Sequence, residues 1–289
     1  MGVLRLLSTA SICLLRRCRG NHCDQYYSLP VHVFHLRDWR ALVMTYVLVH
    51  GGGTTARFWD RLLPHLDRPV LAVDLPGRND KPADLATLSV EAEVASVVAD
   101  VEAAGVRAPI VLVAHSSGGL VVPGVVAGLG DRVAHIILNA ALVPPEAGCG
   151  LDCMKPRHRD GLVLAVEQAR RDGLVITLPG PPDNPEAFRT AYGGEPLDDT
   201  ALAFVTDPVR CVRDTVHHYF QPVRWSLAAG VPLTYILNER DRPVPAALQE
   251  EMLTRLPRPP VVVRLDSGHV PAVTAPESLA ELLASVSIP

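Results

Sequence analysis

LVAHSSGGLV, residues Leu112 to Val121, sets two adjacent serines after a histidine and before two glycines. The run ahead of them, APIVLVA (Ala108–Ala114), is apolar, and the run behind, GLVVPGVVAGLG (Gly119–Gly130), is long enough for a helix. The pattern predicts a strand, a sharp turn and a helix. Such a turn pushes one side chain out past the carboxyl end of a sheet, where the helix N-terminus supplies N–H groups and a positive dipole. It closes only if the residues two before and two after that side chain are small. Ser116 has Ala114 and Gly118 at those places; Ser117 has His115 and Gly119, and histidine is bulky. Ser116 is therefore the candidate nucleophile, and Ser117 offers its backbone N–H to an oxyanion. Ala114 stands where the G-x-S-x-G form of this turn has glycine, a mild departure.

Outward from this turn, short apolar runs alternate with longer helical patterns, the signature of βαβ units and a parallel sheet. The expected strands are Tyr46–His50, Val70–Asp74, Ile110–Ala114, Ala134–Asn139, Leu233–Asn238 and Val261–Leu265. Each is nearly all apolar, as strands buried on both faces are. Helical patterns fall near residues 55–66, 89–104, 117–129, 245–256 and 275–286, the last with Thr274 as cap and Glu277 three residues on. The segment between Asn139 and Leu233 is far longer than an ordinary connection. It carries helical patterns at DGLVLAVEQARRD and DPVRCVRDTVHHYF, and reads as a helical insertion over the sheet.

A serine attacks only when a base takes its proton and the resulting oxyanion is stabilised. The glycines of VLVHGGGTTARFW (Val47–Trp59) let backbone approach a ligand, and Gly52 is the chosen second oxyanion donor, although a glycine trio by itself also reads as a plain turn. Among eleven histidines, His269 in LDSGHVPAV follows the last strand in a glycine-bearing loop, and is the expected base. Its orienting acid should follow the preceding strand, where YILNERDRPVP offers Asp241, the choice here, and Glu239, which stays open. The chain order Ser116, Asp241, His269 is the one that this topology requires. His50 and His115 read as packing or hydrogen-bonding supports, and Asp74, at the end of a strand, as a turn-forming residue. His217, His218, Tyr219, Phe220 and Trp225 fall in the insertion as candidates for lining a pocket over Ser116.

Taken in order, HGGG, AHSSGG, DRPVP and SGH resemble the α/β-hydrolase superfamily from about residue 45 to 287. The short start at VLVHG and the single helical cap are similar to the compact esterase branch that includes plant methyl esterases and hydroxynitrile lyases. The resemblance implies a mostly parallel, doubly wound α/β sheet with a helical cap, a Ser116–His269–Asp241 triad, an oxyanion hole from Gly52 and Ser117, no metal and no organic cofactor. It implies a serine hydrolase of carboxylic esters or lactones. A lyase or C–C-bond hydrolase with the same triad, or a ligand-binding receptor with little turnover, are the rivals. A cyanohydrin lyase would want a cation near its substrate, and Lys155, the cap's lone lysine, reads instead as a surface residue.

Composition narrows the partners. A net charge of −4 gives no electrostatic reason to expect nucleic acid, and the cap composition favours an uncharged, moderately apolar small molecule. No apolar stretch is long and unbroken enough to span a membrane, so a cytoplasmic location is expected, with a homodimer left open. Residues 1–43 hold six arginines against two aspartates, a net +4 that leaves −8 for the rest. They read as an extension outside the fold, the rival being an edge strand at Val31–Leu36. The core is expected at 44–142 and 226–289, with the cap at 143–225. Cys149 and Cys153 in CGLDC offer a local disulfide or half a zinc site, but no second pair completes a metal set, so ordinary thiols are expected.

Overall fold

A computed structural model of the protein describes residues 44–107 and 109–286; the expected extension at 1–43, and the rival edge strand at Val31–Leu36, fall outside the described residues. In chain order the elements are β1 (Thr45–Val49), β2 (Val70–Val73), α1 (Val90–Ala103), β3 (Ile110–His115), α2 (Val122–Leu129) and β4 (Val133–Asn139). The insertion follows with α3 (Pro156–Arg171), β5 (Thr177–Leu178), α4 (Asp199–Thr206) and β6 (Asp214–Thr215). The chain then returns through β7 (Leu233–Asn238), α5 (Ala246–Leu253), β8 (Val261–Leu265), α6 (Pro271–Thr274) and α7 (Pro276–Ser285). Six strands form one parallel sheet in the order β2-β1-β3-β4-β7-β8.

The period of two in the strands sorts the core into two layers. Val47, Val49, Leu112, Ala114, Ile136 and Leu138 face the layer of α1, α2 and α5. Tyr46, Leu48, Val111, Val113 and Ile137 face the layer holding Trp59, α7 and α4. Both faces are covered, hence the apolar runs of β1 and β3; the polar break inside β4, His135, is buried with Nε2 2.9 Å from the Thr234 hydroxyl. The exception is β8, whose Val261 is 62% exposed because it forms the sheet edge.

Four local expectations are corrected. Residues 55–66 form two short 3-10 turns, Ala56–Trp59 and Leu63–His65, with Pro64 interrupting any longer helix. Thr274 does not cap α7: Ala275 holds that place, and the Thr274 hydroxyl donates to the Val270 carbonyl. The 207–220 pattern is not one helix. Its Asp214–Thr215 pair joins Thr177–Leu178 as a small antiparallel ladder, and only His217–Phe220 coils, as a 3-10 turn. The insertion also does not lie wholly over the sheet, since Ala201, Leu202 and Val205 of α4 are buried in the second core layer.

Candidate active site

Ser116 sits at the end of β3 with φ of 51°, a left-handed conformation that residues other than glycine rarely adopt. The surroundings hold it there. Its carbonyl accepts from the Leu142 N–H at 2.8 Å. The following glycines are pressed against backbone: a Cβ on Gly118 would stand 2.6 Å from the His50 carbonyl oxygen, and one on Gly119 would stand 2.5 Å from that of Leu142. The SSGG sequence is thus a packing requirement of the turn.

His269, in the loop between β8 and α6, turns Nε2 toward Ser116 Oγ at 3.0 Å and Nδ1 toward Asp241 Oδ2 at 2.6 Å. A carboxylate at Nδ1 fixes the proton there and leaves the Nε2 lone pair facing the hydroxyl. Asp241 is itself held by the Val244 N–H, which donates to its Oδ1 at 2.7 Å. Glu239 is 43% exposed and faces Arg264 instead. The structure therefore brings Ser116, His269 and Asp241 into one hydrogen-bonded line.

Several supports position this line: His50 and His115 are expected in that role from the sequence, whereas the Tyr192–Gly194 backbone is not. The Tyr192 carbonyl, from the insertion, accepts from His269 N–H at 2.8 Å and from Arg242 N–H at 3.3 Å. Beside it, Gly193 bridges to Asp241 and Gly194 N–H donates to the Arg240 carbonyl at 3.1 Å, so one strap ties the acid loop to the histidine loop. From below, His115 Nε2 lies 2.8 Å from the His269 carbonyl. Burial first, then the neighbouring His269, holds the pKa of His115 well below its ordinary value, so it donates as a neutral ring. His50 is also buried neutral, accepting from Leu75 N–H at Nε2 (3.2 Å) while Nδ1 sits 2.8 Å from the Gly51 carbonyl. Asp74 braces the same loop by accepting from Ala56 N–H at 2.7 Å.

Gly52 and Ser117, the expected oxyanion donors, are neighbours: a Cβ on Gly52 would lie 3.1 Å from Ser117 Oγ and 3.0 Å from the Tyr219 hydroxyl. The Ser117 N–H belongs to the first turn after β3, where no earlier turn of helix can accept from it. The next residue of the loop is anchored from the insertion, since Gly53 N–H donates to Asp214 Oδ2 at 2.8 Å. Asp214 is fully buried, ion-paired with the Arg78 guanidinium, and accepts from Thr215 N–H through Oδ1. Arg78 also reaches Glu93 at 4.0 Å, and Glu93 lies 3.2 Å from His218 Nδ1. Glu93, Asp214 and His218 are the group among the described residues that could ligate a metal, but the Arg78 guanidinium already pairs with Asp214 and reaches Glu93, and Glu93 also faces His218 Nδ1.

Two cavities meet at Ser116. The smaller, about 60 Å³, is lined by Gly52, Phe58, Tyr192, Phe204 and His269 among others. The wider, about 750 Å³, runs out between α3 and the Arg242–Val244 loop. Of the aromatic cap residues, only Tyr219 lines it. His217, His218, Phe220 and Trp225 line neither cavity, which corrects their assignment. His218 is drawn inward to Glu93, Phe220 and Trp225 pack into the first core layer, and His217 is half-buried. Lys155, expected at the surface, lines the wider cavity. Cys149, Cys153 and Cys211 are free thiols, and burial pushes Cys153 up to about 12.

With the fold and this geometry established, residues 46–282 match the model of the alpha/beta hydrolase family. The chain belongs to that family. A pyrethroid hydrolase of Sphingobium wenxiniae is 28% identical over 254 residues, covering 82% of this chain and 85% of that protein. A pimeloyl-[acyl-carrier protein] methyl ester esterase of Neisseria meningitidis is 26% identical over 255 residues, covering 81% and 89%. An extracellular alpha/beta-hydrolase from a Paenibacillus species shares the fold at a TM-score of 0.70 and 19% identity, over 85% of this chain and all of that one. These relatives set the hydrolase among the esterase-type members of the family. No helix among its described residues is long and apolar enough to cross a membrane.

Proposed function

We infer that this hydrolase cleaves a carboxylic ester or lactone through an acyl-enzyme formed on Ser116. One observation carries the reading: the hydrogen-bonded line from Ser116 through His269 to Asp241, at a strained turn that exposes the serine. His269 Nε2 takes the Ser116 proton as Oγ attacks the carbonyl carbon, and Asp241 holds the imidazole and stabilises its charged form. The oxyanion is received by the N–H groups of Gly52 and Ser117. His269 then gives its proton to the leaving alcohol, and water, activated by the same base, releases the acid and restores Ser116.

Lys155 beside the cleft is the observation that would favour a lyase, yet its ammonium donates to the Arg242 carbonyl at 2.5 Å. Hydrolysis is the better reading. The test is labelling with a fluorophosphonate, on the unaltered protein and on Ser116→Ala and Ser117→Ala, with the modified peptide read by mass spectrometry. Label lost only in Ser116→Ala is the expected result. A folded protein that takes no label at all would overturn the activated-serine mechanism and bring the receptor reading forward.

A further inference from the structure

The two cavities at Ser116 differ in what can leave through them, which gives the substrate a direction. A general acid must reach the departing oxygen within hydrogen-bond distance. His269 lines the small cavity and not the wide one. The alcohol portion therefore belongs in the small cavity, whose roughly 60 Å³ accommodates a group of a few atoms. The acyl portion extends along the wide cleft.

That cleft has a one-sided charge. Its lining includes Lys155, Arg157, His158 and Arg242, and no aspartate or glutamate. Among the described residues none of these four is in an ion pair. Lys155 and Arg242 spend one donor each on backbone carbonyls, of Arg242 and Thr190, and keep others unused. Their immediate neighbours are paired: Arg159, on the same helix, pairs with Asp160, and Arg240, two residues from Arg242, pairs with Glu195 and Asp266. The unpaired cations Lys155, Arg157 and Arg242, lining a concave surface next to a nucleophile, attract an anion, and guanidinium groups fit a carboxylate with two parallel hydrogen bonds.

We propose that the acyl portion of the substrate carries a carboxylate at its far end, held among Lys155, Arg157, His158 and Arg242, so that the enzyme prefers hemiesters of dicarboxylic acids with small alcohols. This rests on the hydrolase reading and reverses the expectation of an uncharged ligand drawn from cap composition.

The test compares kcat/KM for monomethyl hemiesters of C4 to C8 dicarboxylic acids with the neutral dimethyl diesters of the same acids, at low and high salt. The expected result is a preference of about tenfold or more for at least one hemiester, shrinking as salt screens the exposed cleft. Lys155→Gln/Arg157→Gln should bring the ratio toward one, whereas Arg170→Gln, at the far end of α3, should leave it unchanged. Diesters turned over as fast as every hemiester would overturn the anionic subsite while leaving the hydrolase reading intact. No turnover of either, with no fluorophosphonate label on Ser116, would overturn both.

Discussion

Replacing Asp214 by asparagine should damage stability and turnover together, because one carboxylate serves both. The side chains of Asp214 and Arg78 have no solvent exposure. Removing one member of such a pair leaves the other charge buried, with Glu93 at 4.0 Å as the remaining partner, and typically costs about 3–5 kcal/mol. Asparagine also turns one acceptor oxygen into a donor, which must face either the Gly53 or the Thr215 N–H. In a domain of this size each kcal/mol lowers Tm by about 2–4 °C, so the expected fall is roughly 6–20 °C. Below the new midpoint the folded variant should still turn over more slowly. Gly53 loses its anchor, the adjacent Gly52 N–H loses its aim, and a lost oxyanion donor costs up to ~10²- to 10³-fold in kcat. Thermal unfolding followed by circular dichroism, with ester turnover and fluorophosphonate labelling rates at 20 °C, measures both effects. A Tm within about 2 °C of the parent protein and an unchanged kcat would refute the assignment of Asp214 as the brace of the oxyanion loop.

Asp241→Asn should lower kcat by about 10⁴ through loss of the imidazole's correct tautomer, whereas Glu239→Gln should leave it near the parent value; the reverse order would exchange their roles. Gly118→Ala adds a Cβ 2.6 Å from the His50 carbonyl, and should yield either insoluble protein or a folded form with lowered labelling of Ser116. Stability should also fall in acid. Burial and the nearby Arg78 push the pKa of His50 down to about 4, against about 6.5 in the unfolded chain. Between those values the unfolded state binds more protons, so the contribution is complete above about pH 6.5 and is lost progressively as pH drops toward 4, by ~3 kcal/mol at the limit. His50→Gln should flatten the dependence of Tm on pH across that window, and an equally steep profile in the variant would argue against a buried neutral imidazole.

The central strands were legible because their environment is uniform: β1, β3 and β4 are buried on both faces, so their runs are nearly all apolar, with His135 the one polar residue inside them. The strand ends were legible too, since Ser116, Asp241 and His269 each follow a run of that kind and stand in short, glycine- or proline-bearing loops. What escaped has no local pattern. Asp214 is the partner of Gly53, 161 residues away, and nothing in VRDTV marks one aspartate as destined for burial against Arg78. The 207–220 segment reads as amphipathic by spacing, yet Asp214 and Thr215 are extended because the chain there must reach both Gly53 and the short β5 strand. Likewise nothing in the side chains of Tyr192–Gly194 marks this segment, whose value lies in carbonyl and N–H groups that a side-chain reading does not see. The four cap aromatics were misassigned because residue type alone does not say which wall of an insertion faces inward.

The Tyr192–Gly194 strap has a consequence for how such a protein can change. One carbonyl of the insertion is the shared acceptor for the loops bearing Asp241 and His269, so the insertion is wired into the candidate site and is not a detachable accessory. Chimaeras that exchange the cap for a relative's would have to retain this tripeptide, with its two positive-φ glycines, or rebuild an equivalent acceptor. Grafts that alter the exposed part of α3 beyond Lys155, whose ammonium donates to the Arg242 carbonyl, would leave the Asp241 and His269 loops as they are while changing the lining of the wider cavity. Diversification of specificity and preservation of chemistry are thereby assigned to different stretches of one insertion.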